Sequence, residues 1–143
     1  MARYLGDDFL LPVLDEHDRP WFTSGAVQIQ FCDDCGGAQH PPEEVCTHCQ
    51  STRLDFRPLS GEGTVESAVV VHHPVHPQLA ERIPYVVAVV SLDGAPGCNA
   101  IGNVLDVPPD AVSIGDRVRA VFESAETPEG EALQIPQWEL VES

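Results

Sequence analysis

The chain has 143 residues, 43% of them hydrophobic, so its length suits one domain or two small ones that share a core. It carries 23 acidic residues against seven arginines and no lysine, a formal net charge of −16, which repels phosphate backbones and anionic lipid and argues against a nucleic-acid-binding protein. No apolar run approaches the roughly 18 residues of a membrane span, and the N-terminus lacks the apolar core of a signal peptide, so we expect a cytoplasmic protein.

The first predicted element is a helical arm within residues 7–22. Four apolar residues there are spaced as on one face of a helix, namely Phe9, Leu10, Val13 and Leu14. Pro20 would end or kink such a helix, so we expect one or two short helices before Gly25. The apolar face, extended by Trp21 and Phe22, either packs on its own domain or docks on a partner protein.

A doubled cysteine motif follows a short strand predicted over residues 27–31. Two Cys-x-x-Cys pairs, ten residues apart, are formed by Cys32, Cys35, Cys46 and Cys49. Two such turns can converge on one tetrahedral metal ion, with Zn–S distances of about 2.3 Å. A pair of disulfides or a redox motif is the alternative, but a doubled motif without a secretory signal favours metal, and zinc over iron. With a second strand over residues 54–56 leading out, the segment is predicted to be a zinc ribbon.

Four thiolates would close the coordination sphere of the predicted zinc ion. No position is then left for water or substrate, so the zinc is expected to be structural and not catalytic. His48 lies inside the second pair and can in principle replace a cysteine. Because four thiolates are already in register, we expect His48 to be a spacer on the solvent side.

Beyond Pro58 the chain changes to short valine-rich strands separated by glycine and proline turns. The five predicted strands cover residues 64–71, 85–92, 99–105, 117–123 and 132–140. Strands at this spacing indicate a small antiparallel barrel, for which an OB-type barrel is the natural choice. We therefore divide the chain into a helical arm (1–25), a zinc ribbon (26–58) and an OB-fold domain (59–143).

The loop between the first two barrel strands contains three histidines. His73 and His76 can meet a metal in a turn, yet Pro74 and Pro77 hold the backbone extended and no carboxylate lies close enough in sequence to complete a set. A mobile loop that faces a partner is the better interpretation.

No local motif for catalysis is found in the sequence. It lacks a Gly-x-Ser-x-Gly elbow, a phosphate-binding loop and a dinucleotide fingerprint, and without lysine it cannot form a Schiff base. The fifth cysteine, Cys98, has no neighbouring base that would activate it, so we expect an inert thiol that is at least partly buried. These observations favour a binding or accessory role.

Taken together, the motifs resemble an acyl-CoA-associated family of small proteins with a rubredoxin-like zinc ribbon followed by an OB fold. The resemblance covers nearly the whole chain and rests on residues 20–22, 27–36, 41–49, 60–65, 84–88 and 114–118. It implies a mainly β fold with an N-terminal helical arm, the ribbon and a five-stranded OB barrel. It also implies that the four cysteines are the zinc ligands and that this chain supplies no catalytic residue.

The resemblance further implies a partner. The chain is expected to be a non-catalytic accessory subunit of a thiolase-like or lipid-transfer-protein-type acyl-CoA enzyme, such as a thiolase or a side-chain-cleaving aldolase in steroid or lipid breakdown. A heterotetramer, with two copies flanking a two-fold partner dimer, is expected. The surface charge agrees with acyl-CoA bound mainly through the partner, because the CoA phosphates require cations.

Residues predicted to touch the partner are Phe9, Leu10, Val13, Trp21, Phe22, His73 and His76. Two other functions remain open at this point. A stand-alone acyl-CoA-binding protein would hold its ligand in the mouth of the barrel. A nucleic-acid-binding OB module would stack bases on aromatic side chains, for which the candidates are Phe56, Tyr85, Phe122 and Trp138.

Overall fold

The computed structural model describes residues 11–141. These residues form the helix α1 (Arg19–Thr23), two 3-10 helices (Pro77–Leu79 and Pro109–Ala111) and eight strands. The strands are β1 (Gln28–Cys32), β2 (Ala38–Gln39), β3 (Leu54–Pro58), β4 (Glu62–Val71), β5 (Tyr85–Leu92), β6 (Asn99–Val104), β7 (Arg117–Glu126) and β8 (Ala132–Leu140). Within residues 11–141, no helix has the length and hydropathy needed to cross a membrane.

A short helix before Gly25 is present, as predicted, but it begins later in the chain than expected. Phe9 and Leu10 lie outside the described residues, and residues 11–18 are not helical. The helix begins at Arg19, so Pro20 lies in its first turn instead of ending it. The prediction was wrong on this point because a first-turn proline gives up an N–H group that has no partner inside the helix anyway, and its fixed φ suits that position.

The ribbon is a three-stranded antiparallel sheet in the order β2-β1-β3. The predicted strands on either side of the cysteine motif are confirmed, while the two-residue β2 between the cysteine pairs was not predicted. It pairs with β1 through Gln30 opposite Gln39. Val27 and Ile29 are 1% and 0% exposed and belong to the same hydrophobic cluster as the barrel residues, so ribbon and barrel share one core.

The second sheet closes into a barrel with the strand order β4-β5-β6-β8-β7 and a final pairing of β7 with β4. All its pairings are antiparallel except that of β6 with β8, which run parallel at Val104 and Trp138. Every barrel strand thus has a neighbour on both sides, although β6 and β8 meet at one residue pair only. The five predicted strands and the OB-like barrel are confirmed. Along β5, buried and partly exposed residues alternate over the whole strand, as expected for a strand with one side facing the core.

The barrel interior is filled around Trp138, which is 1% exposed. Its indole lies over Gly102 of the neighbouring strand: a Cβ at that glycine would lie 2.8 Å from both Cδ1 and Nε1 of the ring. Such a contact is too short for any side chain. Gly102 is therefore required by the close approach of the indole.

The helix α1 packs against β8 and against the start of the ribbon. Trp21 packs on the shared core, and the centroid of its ring lies 4.5 Å from that of His40. Arg19 makes an ion pair with Glu131 next to β8. For Trp21 the structure thus shows packing on the chain itself, which was one of the two alternatives for the arm.

Candidate metal centre

The four cysteine sulfurs of the ribbon converge on one point. Their Sγ atoms all lie within 4.8 Å of one another, with 3.6 Å between Cys32 and Cys49 and 3.6 Å between Cys35 and Cys46. A disulfide would need about 2.05 Å, so these are free thiols. A tetrahedral zinc ion at about 2.3 Å from each sulfur requires sulfurs about 3.8 Å apart. The cluster therefore fits a zinc ion with four thiolate ligands.

The two cysteine turns have the same backbone geometry. In each, the amide four residues after the first cysteine donates to that cysteine's carbonyl, from Gly36 to Cys32 and from Gln50 to Cys46, both at 2.9 Å. Gly36 and Gln50 also share positive φ values of 75° and 66°. Glycine adopts this conformation without cost, whereas glutamine does so only rarely. The second turn is thus a copy of the first, with a less favourable residue at its end.

Backbone amides make the buried sulfurs better metal ligands. The N–H group of Cys35 points at the Cys32 sulfur and lowers the pKa of that thiol. Burial raises the pKa of Cys46, but hydrogen bonds from the N–H groups of Cys49 and His48 outweigh it and lower the pKa to about 7. Since the thiolate is the form that binds metal, these amides favour metal binding near neutral pH.

Two buried glutamines hold the second cysteine turn in place. Gln30 and Gln39 are 3% and 6% exposed, and the Gln39 amide nitrogen donates to the Gln30 amide oxygen at 2.6 Å. Gln30 both donates to and accepts from the backbone of Glu43 at 2.9 Å. Gln39 donates to the carbonyl of Val45 at 3.1 Å and accepts from the N–H of Thr47 at 2.8 Å. The polypeptide on both sides of Cys46 is therefore fixed by β1 and β2.

Replacing Gln39 with leucine tests this network. We expect zinc affinity to fall about 10- to 100-fold, the range found when groups that orient metal ligands are removed. The physical reason is that the Thr47 N–H and the Gln30 amide oxygen lose their buried partner. Competition with a chromophoric chelator measures the affinity. Gln28→Leu, at a half-buried glutamine on the neighbouring strand β1, is the control, and equal affinities of the two variants would contradict the role given to Gln39.

His48 is exposed, as predicted, but it is more than a spacer. One of its ring nitrogens lies 3.2 Å from the carbonyl oxygen of Ala38, so the ring bridges the second cysteine turn to β2. Its Cδ2 atom would lie 2.6 Å from a Cβ at Gly37, so any side chain at that position would displace the ring from this place. Among residues 11–141, the four cysteines form the one group of three or more metal-ligating side chains that converges, and His48 is not part of it.

The remaining predicted residues are spread over the molecule. Val13 is 94% exposed, Phe22 is half-buried on α1, and His73 is exposed in the β4–β5 loop. In that loop, His76 accepts a hydrogen bond from the backbone N–H of Gln78 at 3.2 Å and so caps the following 3-10 helix. The partner contacts predicted for these residues, and for Trp21, stay a prediction.

The odd cysteine, Cys98, lies in the core of the barrel. It is 3% exposed, and burial raises the pKa of its thiol. A raised pKa keeps the sulfur protonated and unreactive near neutral pH. The prediction of a buried thiol is confirmed.

Both the ribbon and the barrel of this chain match models of known protein families. Residues 27–55 match the family model described as the rubredoxin-like zinc ribbon domain of ChsH2, and residues 56–123 match that of its C-terminal OB-fold domain. Together the two adjoining matches run through the described strands from β1 into β7. They agree with the four-cysteine site and the closed barrel described above.

Individual relatives are similar over different lengths. A DUF35 domain-containing scaffold protein of Methanothermobacter thermautotrophicus is 33% identical over 64% of this chain and 67% of its own length. The 3-oxo-4,17-pregnadiene-20-carboxyl-CoA hydratase alpha subunit of Mycobacterium tuberculosis is 29% identical over 95% of this chain but only 40% of its own length. Across four curated relatives, the chain spans between 32% and 67% of their length.

A solved structure gives a match over nearly the full chain. It is described as an Ltp2-ChsH2(DUF35) aldolase, and it superposes with a TM-score of 0.76 at 33% identity, over 91% of this chain and 98% of that one. The match includes both the ribbon and the barrel, in the same arrangement. This chain therefore belongs to the ChsH2 (DUF35) family, with a rubredoxin-like zinc ribbon followed by an OB-fold domain.

Proposed function

We propose that this chain is a non-catalytic accessory subunit of a thiolase-superfamily acyl-CoA enzyme, which it stabilises and whose substrate channel it helps to form. The observation that carries this proposal is the likeness, over 91% of this chain, to a chain of the structure described as an Ltp2-ChsH2(DUF35) aldolase. The closed four-cysteine site agrees with it, because a metal ion held by four thiolates folds a segment and offers no open position for a substrate.

The arginines support acyl-CoA binding mainly on the partner. In the described part of the chain, five arginines are ion-paired with carboxylates, namely Arg19, Arg53, Arg57, Arg117 and Arg119. The pairing is closest to ideal at Arg117, whose guanidinium donates to both carboxylate oxygens of Asp93 and holds the pKa of that carboxyl below its usual range. Phosphates of CoA would have to compete with these carboxylates, so a partner that supplies cations is the better dock.

The acyl group is proposed to be a steroid side chain or a related lipid. The support is the name of the mycobacterial relative, which includes a pregnadiene carboxyl-CoA, together with the aldolase named in the structural match. The partner is proposed to be thiolase-like, and the assembly a heterotetramer in which two copies of this chain flank a two-fold dimer.

Co-expression with the lipid-transfer-protein-type subunit of the source organism tests the proposal. We expect a stable complex on size-exclusion chromatography, with a light-scattering mass of two copies of each chain. We also expect the turnover of the partner to fall when this chain is left out. If no complex forms, and calorimetry shows micromolar binding of acyl-CoA to this chain alone, the accessory role is wrong and a stand-alone acyl-CoA-binding protein takes its place.

A further inference from the structure

Beyond the bulge at Glu66, three neighbouring barrel strands share an outer surface that carries no charged side chain. Its apolar members are Val69 and Val71 on β4, Tyr85, Val87 and Val89 on β5, and Ile101 on β6. We call these six residues the β4–β6 outer face. They are neighbours across the strands, since Val69 pairs with Val87 and Val89 pairs with Ile101. Ile101 and Val69 are 71% and 56% exposed.

The absence of charge is notable because the chain as a whole has a net charge of −16. The positions that complete this surface, Ser67 opposite Val89 and Asn103 opposite Val87, are also neutral. Charged side chains return at its border, with Glu66 in the β-bulge of β4. An apolar patch with charge only around it is typical of the centre of a protein–protein interface, where charged residues are depleted.

The location of this face within the fold adds to the argument. The three strands correspond to the first three strands of the OB barrel, and the outer face of the second and third is where OB folds bind oligonucleotides. Such binding needs cations for the phosphates and several aromatic rings for the bases. Here the face has one aromatic ring, Tyr85, no arginine, and aliphatic side chains elsewhere. Its chemistry suits another protein and not a nucleic acid.

Charge also distinguishes between two possible protein occupants. A second copy of this chain would bring a second net charge of −16 to the border of the contact, and like charges oppose association. A different subunit with an apolar patch inside a basic rim meets the aliphatic centre and complements the acidic surroundings. Because this face is the outer side of strands that are paired with one another, the contact is made by side chains and not by addition of a strand to an edge.

We infer that the β4–β6 outer face is the surface through which this chain docks on its acyl-CoA enzyme subunit, an inference that rests on the function proposed above. Ile101 and Val69 are its most exposed aliphatic residues and lie on its two outer strands. Burying them in an apolar pocket of the partner removes them from water, whereas a carboxylate at either position would be buried without a partner.

The test measures how tightly two single variants, Ile101→Asp and Val69→Asp, bind the partner subunit. We expect each to raise the Kd for the co-expressed lipid-transfer-protein-type subunit at least about tenfold, as for residues near the centre of an interface. Ile114→Asp is the matched control. Ile114 is 76% exposed and precedes Gly115, whose amide bonds to Val65 on the side of β4 away from β5. We expect its Kd to stay within about twofold of the wild type.

Circular dichroism and zinc content show whether each variant is folded, and two independent positions guard against one of them failing to fold. If the wild type binds the subunit but both aspartate variants bind equally well, this inference is overturned while the accessory role stands. If the wild type does not bind, the accessory role fails, and the inference fails with it. If this chain alone sediments as a dimer that Ile101→Asp dissociates, the occupant is a second copy and the inference is overturned.

Discussion

We expect the Cys46→Ser variant to lose its zinc and the fold of its ribbon together. Cys46 is 1% exposed, and its sulfur is one of the four that converge on the metal position. A serine hydroxyl is not ionised near neutral pH and is a poor substitute for a thiolate. Structural zinc sites in small domains contribute about 10–16 kcal/mol of binding energy, as much as the whole stability of an ordinary domain.

Metal analysis of the purified protein measures the first effect, and two-dimensional NMR measures the second. We expect one zinc ion per chain in the wild type and nearly none in the variant, with amide signals of residues 28–58 collapsed toward the unfolded range. Cys98→Ser is the control, because that sulfur is buried in the barrel and outside the metal cluster. A Cys46→Ser protein that keeps its full zinc content would show that the Cys46 thiolate is not a ligand.

The second large effect is expected at Trp138. Its indole is the largest fully buried side chain in the described residues, and it lies against Gly102 with no space between them. Trp138→Ala leaves a cavity that strands of a closed barrel cannot collapse to fill. We expect the free energy of unfolding to fall by about 3–5 kcal/mol, measured by denaturation in guanidinium chloride at a fixed zinc concentration.

Trp21→Ala is a matched control for this substitution, because it removes the other tryptophan of the chain. Trp21 is only half-buried, on the short helix α1 at the side of the barrel. Trp21→Ala should therefore lower the free energy of unfolding by less than half as much as Trp138→Ala, because less apolar surface is buried at Trp21. If the two variants lost equal free energies of unfolding, the central role given to Trp138 in the core would be wrong.

Much of this architecture follows from periodicity and spacing in the sequence. β5 and β8 were predicted with their observed ends, because Pro84 and the turn at Asp93 and Gly94 bound one apolar run and Gly130 precedes the other. The metal centre was predicted from cysteine spacing alone, since two copies of one short turn have only one geometry that brings all four sulfurs together.

The glutamine network could not be predicted in the same way. Alternation along β1 places Gln30 on the polar side of the strand, and the structure buries it because the second cysteine turn folds over that side. Burial of this kind depends on a segment that is distant in sequence. Gln50 was missed for a different reason, because its positive φ is a conformation that propensity assigns to glycine or asparagine.

The core shared by ribbon and barrel limits how this protein can be divided. Val27 and Ile29 pack with barrel residues, and the amide of Leu59 donates to the carbonyl of Val27 at 2.8 Å across the junction. A truncation between residues 58 and 59 would therefore expose apolar surface on both halves. Gene fusions that carry this unit into longer chains must transfer ribbon and barrel as one piece, and engineered fusions should place their joints before α1 or after β8.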